Sequence, residues 1–371
     1  MDLSQLDSQE REEFARRVMD WFAGHARDLP WRHDRTPYRV WVSEMMLQQT
    51  QAATVARYYQ RFLARFPTIE ALAAAPLEEV LKLWEGLGYY RRARHLHQAA
   101  RQLIAANDGR LPAEYDALKS LPGVGTYTAG AIGSIAFGQR VAAVDGNVRR
   151  VLCRVLSIDD DVTLSATRRR LEGIATTLLP DQDAGTFNEA LIELGATVCT
   201  SRNPTCQLCP VADLCGARAA NEQEALPVRR PRGKRPHYDV AAAVTIGADG
   251  AILVAKRRLD DMLGGLWEFP GGKCEDGESL PVCLMREMEE ELGVTVGVGS
   301  PLTVVEHAYT HFSITLHAFC CRLIGGQPCC LDCADFRWVF PSDLDELPMS
   351  AADRRIAQVL VRKGEHRGTD P

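Results

Sequence analysis

Four cysteines fall within 17 residues, in CTSRNPTCQLCPVADLC from Cys199 to Cys215, with gaps of six, two and five residues. A set this dense is a disulfide knot, a zinc site or an iron-sulfur site, and in a reducing compartment clustered thiols hold metal more often than they pair. A second group is carboxylate: Glu287, Glu290 and Glu291 stand at i, i+3 and i+4, one face of a helix, where they could hold Mg²⁺ against a pyrophosphate. A third is a backbone device. LPGVGTYTAGAIG, from Leu121, puts Pro122, Gly123 and Gly125 between two helical stretches. Glycines free to take positive φ make a tight turn whose N–H groups, with the next helix's N-terminus, can grip a phosphate. An ordinary helix-turn-helix corner has the same residues. Twenty residues on, VDGNVRRVLCR sets Asp145 and Asn147 beside Gly146, and a carboxylate there is well placed to face a sugar.

These groups need scaffolds, and 371 residues are enough for two or three domains with their own cores. Hydrophobic residues at 46% and charged residues at 25% describe globular material. The start, MDLSQLDSQEREEF, is polar and acidic, and no apolar run approaches the roughly 18 residues of a membrane span, so no membrane partner and a cytoplasmic location are expected. The net charge of -6 is unevenly spread: residues 1–220 hold 26 basic and 26 acidic side chains, residues 237–371 hold 12 and 21. Between them VRRPRGKRP is basic and broken by prolines, which reads as an extended linker. The expected division is a helical domain over 1–216, with the cysteine loop at 199–215, a linker over 217–237 and a second domain over 238–365. Apolar residues at helical spacing (Phe14, Val18, Phe22; Val80, Leu83, Trp84, Leu87) make the first all-α. The second reads as a smaller α+β domain, with strands in VAAAVTIG, AILVAKRR, TVVEHAYTHFSITLHAFCCRLI and FRWVF and helices at 279–292 and 350–363.

LPGVGTYTA, VDGNVRRV and the cysteine spacing together resemble the helix-hairpin-helix DNA glycosylases of the endonuclease III superfamily. VWVSEMMLQQTQ, LPWR, GLGYYRRAR and FNEALIELGA narrow the resemblance to the adenine DNA glycosylases, over the chain from about residue 12 to its end. It implies base excision repair of duplex DNA by a monomer at the nucleoid, removing adenine opposite 8-oxoguanine or guanine. Such a reaction needs an acid for the leaving base and an anion for an oxocarbenium-like sugar, the two-carboxylate logic of glycoside hydrolysis. Glu44, bracketed by apolar residues, matches the acid, since that setting raises a carboxyl pKa. Asp145, among polar and basic neighbours, matches the ionised partner. Tyr127 and Asn147 match residues that assist the pair, Glu189 one that contacts the flipped base, and Trp31 and Arg32 the pocket wall. Leu47, Gln48, Gln49 and Tyr89 match the wedge that replaces the flipped base, and Arg91, Arg92 and Arg94 offer a phosphate grip. In the related lyases a lysine stands where this chain has Tyr127, so a monofunctional enzyme is expected, with Lys119 the nearest other amine. The resemblance also implies that Cys199, Cys206, Cys209 and Cys215 hold a 4Fe-4S cluster; zinc sites usually pair their ligands as two close doublets.

The second domain departs from that family in one respect. Gly272, Glu278, Arg286-Glu287, Glu290-Glu291, Gly293 and Val294 satisfy the whole Nudix box, which the family usually carries in degraded form. Three readings follow: a recognition module for 8-oxoguanine, a hydrolase of oxidised nucleotides, or both. Recognition is favoured, with Tyr309, Thr310 and His311 of HAYTH matching the family's Phe-Ser-His lesion loop; an alternating strand is the plainer account. Cys320, Cys321, Cys329, Cys330 and Cys333 are expected to be small buried hydrophobes.

Overall fold

A computed structural model of the chain describes residues 8–230 and 235–367. Part of the basic linker, 231–234, lies outside the described residues, as do the first seven. The helices are α1 (Ser8–His25), α2 (Pro37–Leu47), α3 (Ala52–Arg65), α4 (Ile69–Ala74), α5 (Leu77–Trp84), α6 (Arg91–Asn107), α7 (Tyr115–Lys119), α8 (Thr126–Phe137), α9 (Gly146–Val155), α10 (Ser165–Leu178), α11 (Ala184–Thr197), α12 (Gly216–Ala219), α13 (Leu280–Leu292) and α14 (Ala351–Arg367). The strands are β1 (His237–Thr245), β2 (Ile252–Lys256), β3 (Trp267–Glu268), β4 (Gly271–Lys273), β5 (Thr295–Ala308), β6 (Ser313–Gly325) and β7 (Asp335–Val339). No described helix is long and apolar enough to cross a membrane.

Two compact units result. One comprises Met1–Ala74 and Gln98–Arg232, the other Ala75–His97 and Gly233–Pro371. The first contains no strand among its described residues. Its core forms where the apolar stripe of α1 (Phe14, Val18, Phe22) meets Val148, Val151 and Leu152 of α9 and Phe187, Ala190, Leu191 and Leu194 of α11. Burying those side chains is the main force holding the three helices together, at about 1.5–3 kcal/mol for each large one. Gly195 lets α11 approach α9 closely: a Cβ there would lie 2.6 Å from the Asn147 Cβ and 2.9 Å from its carbonyl oxygen. The start of α9 is thereby pinned from behind.

In the second unit β4-β1-β6-β5 form one sheet, with β1 and β6 parallel, and β3-β2-β7 another. β1 is buried on both faces, which is why it reads as a continuous apolar run. Ala241 and Ala243 face Leu284, Met288 and Leu292 of α13; Ala242 and Val244 face the cluster holding Ile356 and Leu360 of α14. The inclusion of 75–97 departs from the linear division. Trp267 Nε1 and Lys256 Nζ donate to the Glu78 carboxylate at 2.8 and 3.1 Å; Arg354 spans both oxygens of Glu85 at 2.6 and 3.1 Å. Part-buried, charge-assisted pairs of this kind fix an element's partner, and no local pattern in α5 announces them.

Candidate active site and cysteine loop

Glu44 is on the last turn of α2, 5% exposed among Trp41, Met45 and Met46. Burial, the largest influence, pushes its carboxyl up to about 7; a hydrogen bond from the Tyr127 hydroxyl opposes this, and the charges of Asp145 and Glu189 add to it. Its Oε2 has no hydrogen-bond partner. Asp145 caps α9: Oδ1 accepts the N–H groups of Asn147 and Val148, each at 2.8 Å, and Oδ2 accepts the Asn147 side-chain amide at 2.8 Å. Burial, the largest influence, raises its pKa above the usual carboxylate value, and the N–H groups of Val148 and Asn147, the Asn147 amide and Arg150 oppose this. All three donors require an acceptor carboxylate, and a helix N-terminus favours the anion. Glu44, Tyr127, Asp145, Asn147, Trp31, Arg32 and Glu189 line one cavity of about 910 Å³, which Leu47, Gln48 and Gln49 also border.

The wall of that cavity is an ion network. Arg32 Nη2 donates to Glu193 at 2.9 Å, and its Nε lies 3.6 Å from Glu189. Arg35 meets Glu189 at 2.6 Å. Burial raises Glu189, with Arg35 and Arg32 opposing. Trp31 packs edge-on against Tyr59. Glu193 was not singled out from sequence, yet its side chain is wholly buried and takes both Arg27 and Arg32. Burial alone would raise it; hydrogen bonds from the two arginines hold it at about 2. Glu193→Gln is expected to cost about 3 kcal/mol, the low end for a broken buried pair because Arg27 is partly exposed. A depressed carboxylate stabilises above its unfolded pKa. The difference in urea stability between wild type and variant should therefore close as pH falls from about 4.5 toward 2.

Gln48 ties this region to the hairpin, its amide donating to the Gly123 carbonyl at 3.2 Å and the Thr128 hydroxyl at 3.1 Å. Gln49 is exposed at φ 57°, a conformation costing a non-glycine residue about 1 kcal/mol. Gly123 takes φ 79° as the turn requires. Gly125 does not: it is extended at φ -91° and serves as N-cap of α8 without a side chain to offer, leaving that helix's first N–H groups unclaimed by a cap.

In the second unit, Tyr89 (φ 49°, 41% exposed) makes a 2.6 Å hydroxyl-hydroxyl hydrogen bond with Thr310. Thr310 and His311 lie on the β5–β6 turn, closed by the Tyr309 N–H donating to the Phe312 carbonyl at 2.8 Å, so HAYTH ends a strand rather than continuing it. Tyr309 turns away from this pair, packing between His307 and Phe312 and lining a separate cavity of about 270 Å³. The arginines that follow Tyr89 divide. Arg91 is exposed, but Arg92 is buried over the Trp84 and Tyr89 rings and donates to the carbonyls of Leu87 and Gly88 at 3.2 and 3.0 Å. It shapes the GLGYY loop instead of gripping phosphate. Arg94 likewise donates to the Gly264 carbonyl.

Cys199, Cys206, Cys209 and Cys215 are unpaired thiols that line one small apolar cavity. Arg154, 1% exposed, reaches Cys199 Sγ at 3.4 Å and the Thr200 carbonyl at 2.6 Å, while the Cys215 thiol donates to its carbonyl. Four soft donors around a dry cavity, with a buried guanidinium to balance thiolate charge, fit an iron-sulfur cluster. The remaining cysteines are less uniform than expected: Cys321 and Cys333 are buried, but Cys329 and Cys330 are exposed in the β6–β7 connection, outside any strand. Within that one connection only Cys333 reaches the core.

The family described as HhH-GPD superfamily base excision DNA repair protein matches residues 42–176, the iron-sulfur binding domain of endonuclease III matches 199–215, and the NUDIX domain matches 241–359. The adenine DNA glycosylase of Homo sapiens is 37% identical over 95% of this chain and 74% of its own length. That of Arabidopsis thaliana is 37% identical over 72% of this chain and 49% of its own. Among solved structures, a thermostable thymine-DNA glycosylase aligns with TM-score 0.54 and 32% identity, covering 59% of this chain and all of that one. A trapped endonuclease III-DNA covalent intermediate aligns at 0.51 and 26%, over 58% and 99%. With the cysteine loop matched within this framework, the cofactor is a 4Fe-4S cluster. The cavity with its buried carboxyl, the hairpin before it, the cluster loop and a relative matched over most of both chains leave one assignment: this chain belongs to the adenine DNA glycosylase family.

Proposed function

We propose that this base excision repair glycosylase removes adenine paired with 8-oxoguanine, and with guanine, from duplex DNA. One observation carries the reading: a buried, protonatable carboxyl with a free oxygen borders a cavity large enough for a purine, beside a carboxylate held by a helix N-terminus. Adenine enters that cavity against Trp31 and Arg32, with Glu189 on its edge. The C–N bond breaks with its electron pair passing to the base, and Glu44 protonates a ring nitrogen. Asp145 stabilises the sugar cation, with Tyr127 orienting Glu44 and Asn147 orienting Asp145. Water adds at the anomeric carbon and its proton returns to Glu44, leaving an abasic site. Gly123 and the α8 N-terminus at Gly125 hold phosphate; Leu47, Gln48, Gln49 and Tyr89 fill the gap in the stack, at an unstacking cost of a few kcal/mol. Thr310 and His311, with Tyr309 behind them, read the lesion. Cys199, Cys206, Cys209 and Cys215 hold the cluster, which supplies structural cross-linking and redox capacity; none of its ligands touches the cavity. The protein acts as a monomer on nucleoid DNA.

The test is single-turnover cleavage of duplexes containing A opposite 8-oxoguanine, A opposite T and G opposite T. Product should be confined to the first and be abasic. No covalent complex should be trapped by borohydride, since no lysine lines the cavity among the described residues and Lys119 pairs with Asp116 and the Tyr115 ring instead. Trapping at the rate of base release would overturn the monofunctional reading.

A second reading concerns the Nudix box. Arg286 binds Glu287 and Glu290 of α13, and Glu278 of the loop before it, at 2.8–3.0 Å. Glu291 turns inward to accept the Gly271 N–H at 3.3 Å, its pKa raised by burial. Mg²⁺ would have to displace the Arg286 guanidinium from these carboxylates, so the reading of nucleotide hydrolysis alongside glycosylase action rests on the spacing of the box rather than on a preformed ion site. On that reading, purified protein with Mg²⁺ turns over 8-oxo-dGTP and Glu290→Gln stops it; unchanged turnover in the variant assigns the activity elsewhere.

A further inference from the structure

The β6–β7 connection carries a thiol pair that neither the glycosylase chemistry nor the Nudix box uses. In Cys330-Leu-Asp-Cys333 the first thiol is exposed and the second is 8% exposed, packed into the core beneath α13. Three positions apart in one bend, the Cys330 thiol is near enough to add to burial in raising the Cys333 thiol, and neither is in a disulfide. The backbone around them is anchored on both sides. The Cys329 N–H donates to the Leu292 carbonyl at 3.0 Å, those of Leu331 and Asp332 to the Glu291 carbonyl at 3.0 and 3.2 Å, and that of Ala334 to the Lys256 carbonyl at 2.7 Å. The bend therefore satisfies carbonyls that α13 leaves open at its C-terminal end. It also holds the Cys330–Cys333 segment in a fixed, hydrogen-bonded bend.

We propose that Cys330 and Cys333 form a reversible oxidation site, in which the exposed thiol reacts with a hydroperoxide and the buried thiol resolves the product to a disulfide. The Cys330 sulfur takes the distal peroxide oxygen, the O–O bond breaks and water (or an alcohol) leaves, giving a sulfenic acid. Cys333 then attacks that sulfur and a second water leaves carrying the sulfenic oxygen and the Cys333 proton. Two thiols are oxidised and one peroxide is reduced. The division of labour follows from exposure: an oxidant can reach Cys330, whereas burial keeps Cys333 protonated and shielded until its neighbour has reacted. The other close pair in this unit, Cys274 and Cys283, lies with Glu278 within 4.8 Å, but Arg286 holds both Glu278 oxygens and neither thiol is exposed. With Cys274 only partly exposed and Cys283 buried, it serves as an internal comparison.

The experiment treats the reduced, cluster-containing protein with limiting hydrogen peroxide, alkylates the remaining thiols and maps peptides by mass spectrometry. The expected result is a Cys330–Cys333 disulfide, reversed by dithiothreitol and absent in Cys330→Ser, with Cys274 and Cys283 still alkylated. Amide exchange at residues 291–294 should slow in the oxidised form, because the loop that closes α13 is then stapled. Three results would overturn the proposal: Cys330 carried to sulfinic acid while Cys333 stays alkylatable, a disulfide through Cys329 instead, or no thiol change at peroxide levels that already bleach the cluster.

Discussion

Glu44→Gln should lower the single-turnover rate of adenine release by about 10²–10⁴-fold, the range for loss of a positioned general acid. The substitution keeps shape, and the amide can still accept the Tyr127 hydroxyl, so the loss is chemical rather than structural. The pH dependence makes the expectation specific. With the carboxyl at about 7, the wild-type rate should be level in mild acid and fall about tenfold per pH unit well above 7. A profile falling with an apparent pKa near 4.5, or an active Glu44→Gln enzyme, would remove Glu44 from the role. The same shift has a stability consequence. A carboxyl whose pKa is raised on folding contributes stability that is complete below its unfolded value and is lost as pH rises to the folded one. Wild type should therefore lose up to about 3 kcal/mol relative to Glu44→Gln between about pH 4.5 and 7, measurable as a pH-dependent difference in urea midpoint. Asp145→Asn should also abolish release, but its α9 cap survives only in part, because an amide oxygen can replace one carboxylate oxygen and not both.

Arg154→Met is expected to be the most damaging substitution away from the cavity. The guanidinium donates to the Leu226 carbonyl at 3.0 Å and the Thr200 carbonyl at 2.6 Å, and reaches the Cys199 sulfur at 3.4 Å. Methionine fills much of the volume but leaves those carbonyls without donors in a buried setting, at about 1–3 kcal/mol each, or about 3–5 kcal/mol with the lost charge beside the thiolates. Thermal unfolding of the first unit should move down by several degrees, and iron content and visible absorbance of the purified protein should fall together. Arg154→Lys separates the causes. It keeps the charge but cannot span the three acceptors, so near-normal cluster content with lowered stability would identify the bridging as structural, and a full cluster in Arg154→Met would show that the charge is dispensable.

Much of the site is legible in local sequence because its parts are local. A carboxylate followed by Gly and Asn becomes a helix cap whatever lies around it, and Asp145 does. Four thiols in 17 residues cannot be far apart, and they share one cavity. Where the reading fails, the folded path of the backbone or a distant partner decides. Arg92 looks like one of three equivalent basic residues until the turn of Leu87 and Gly88 is folded over it. Gly125 looks interchangeable with Gly123 until α8 begins at it. Glu193 resembles any helix glutamate until Arg27 and Arg32 arrive from more than 160 positions away.

The sequence by itself determined the family, the all-α and α/β division of labour and the cofactor, and it supplied the pair of carboxylates proposed for the chemistry, since each rests on residue type and short-range spacing. Only the tertiary structure decided which unit residues 75–97 join, which arginines are spent on backbone carbonyls, which thiols reach solvent and that a buried Glu44 oxygen is left without a hydrogen-bond partner. Those outcomes turn on burial and on pairings across the fold. Burial sets the protonation of Glu44, and distant arginines set that of Glu193. Two glutamates alike in isolation thereby acquire pKa values of about 7 and about 2 within one cavity wall.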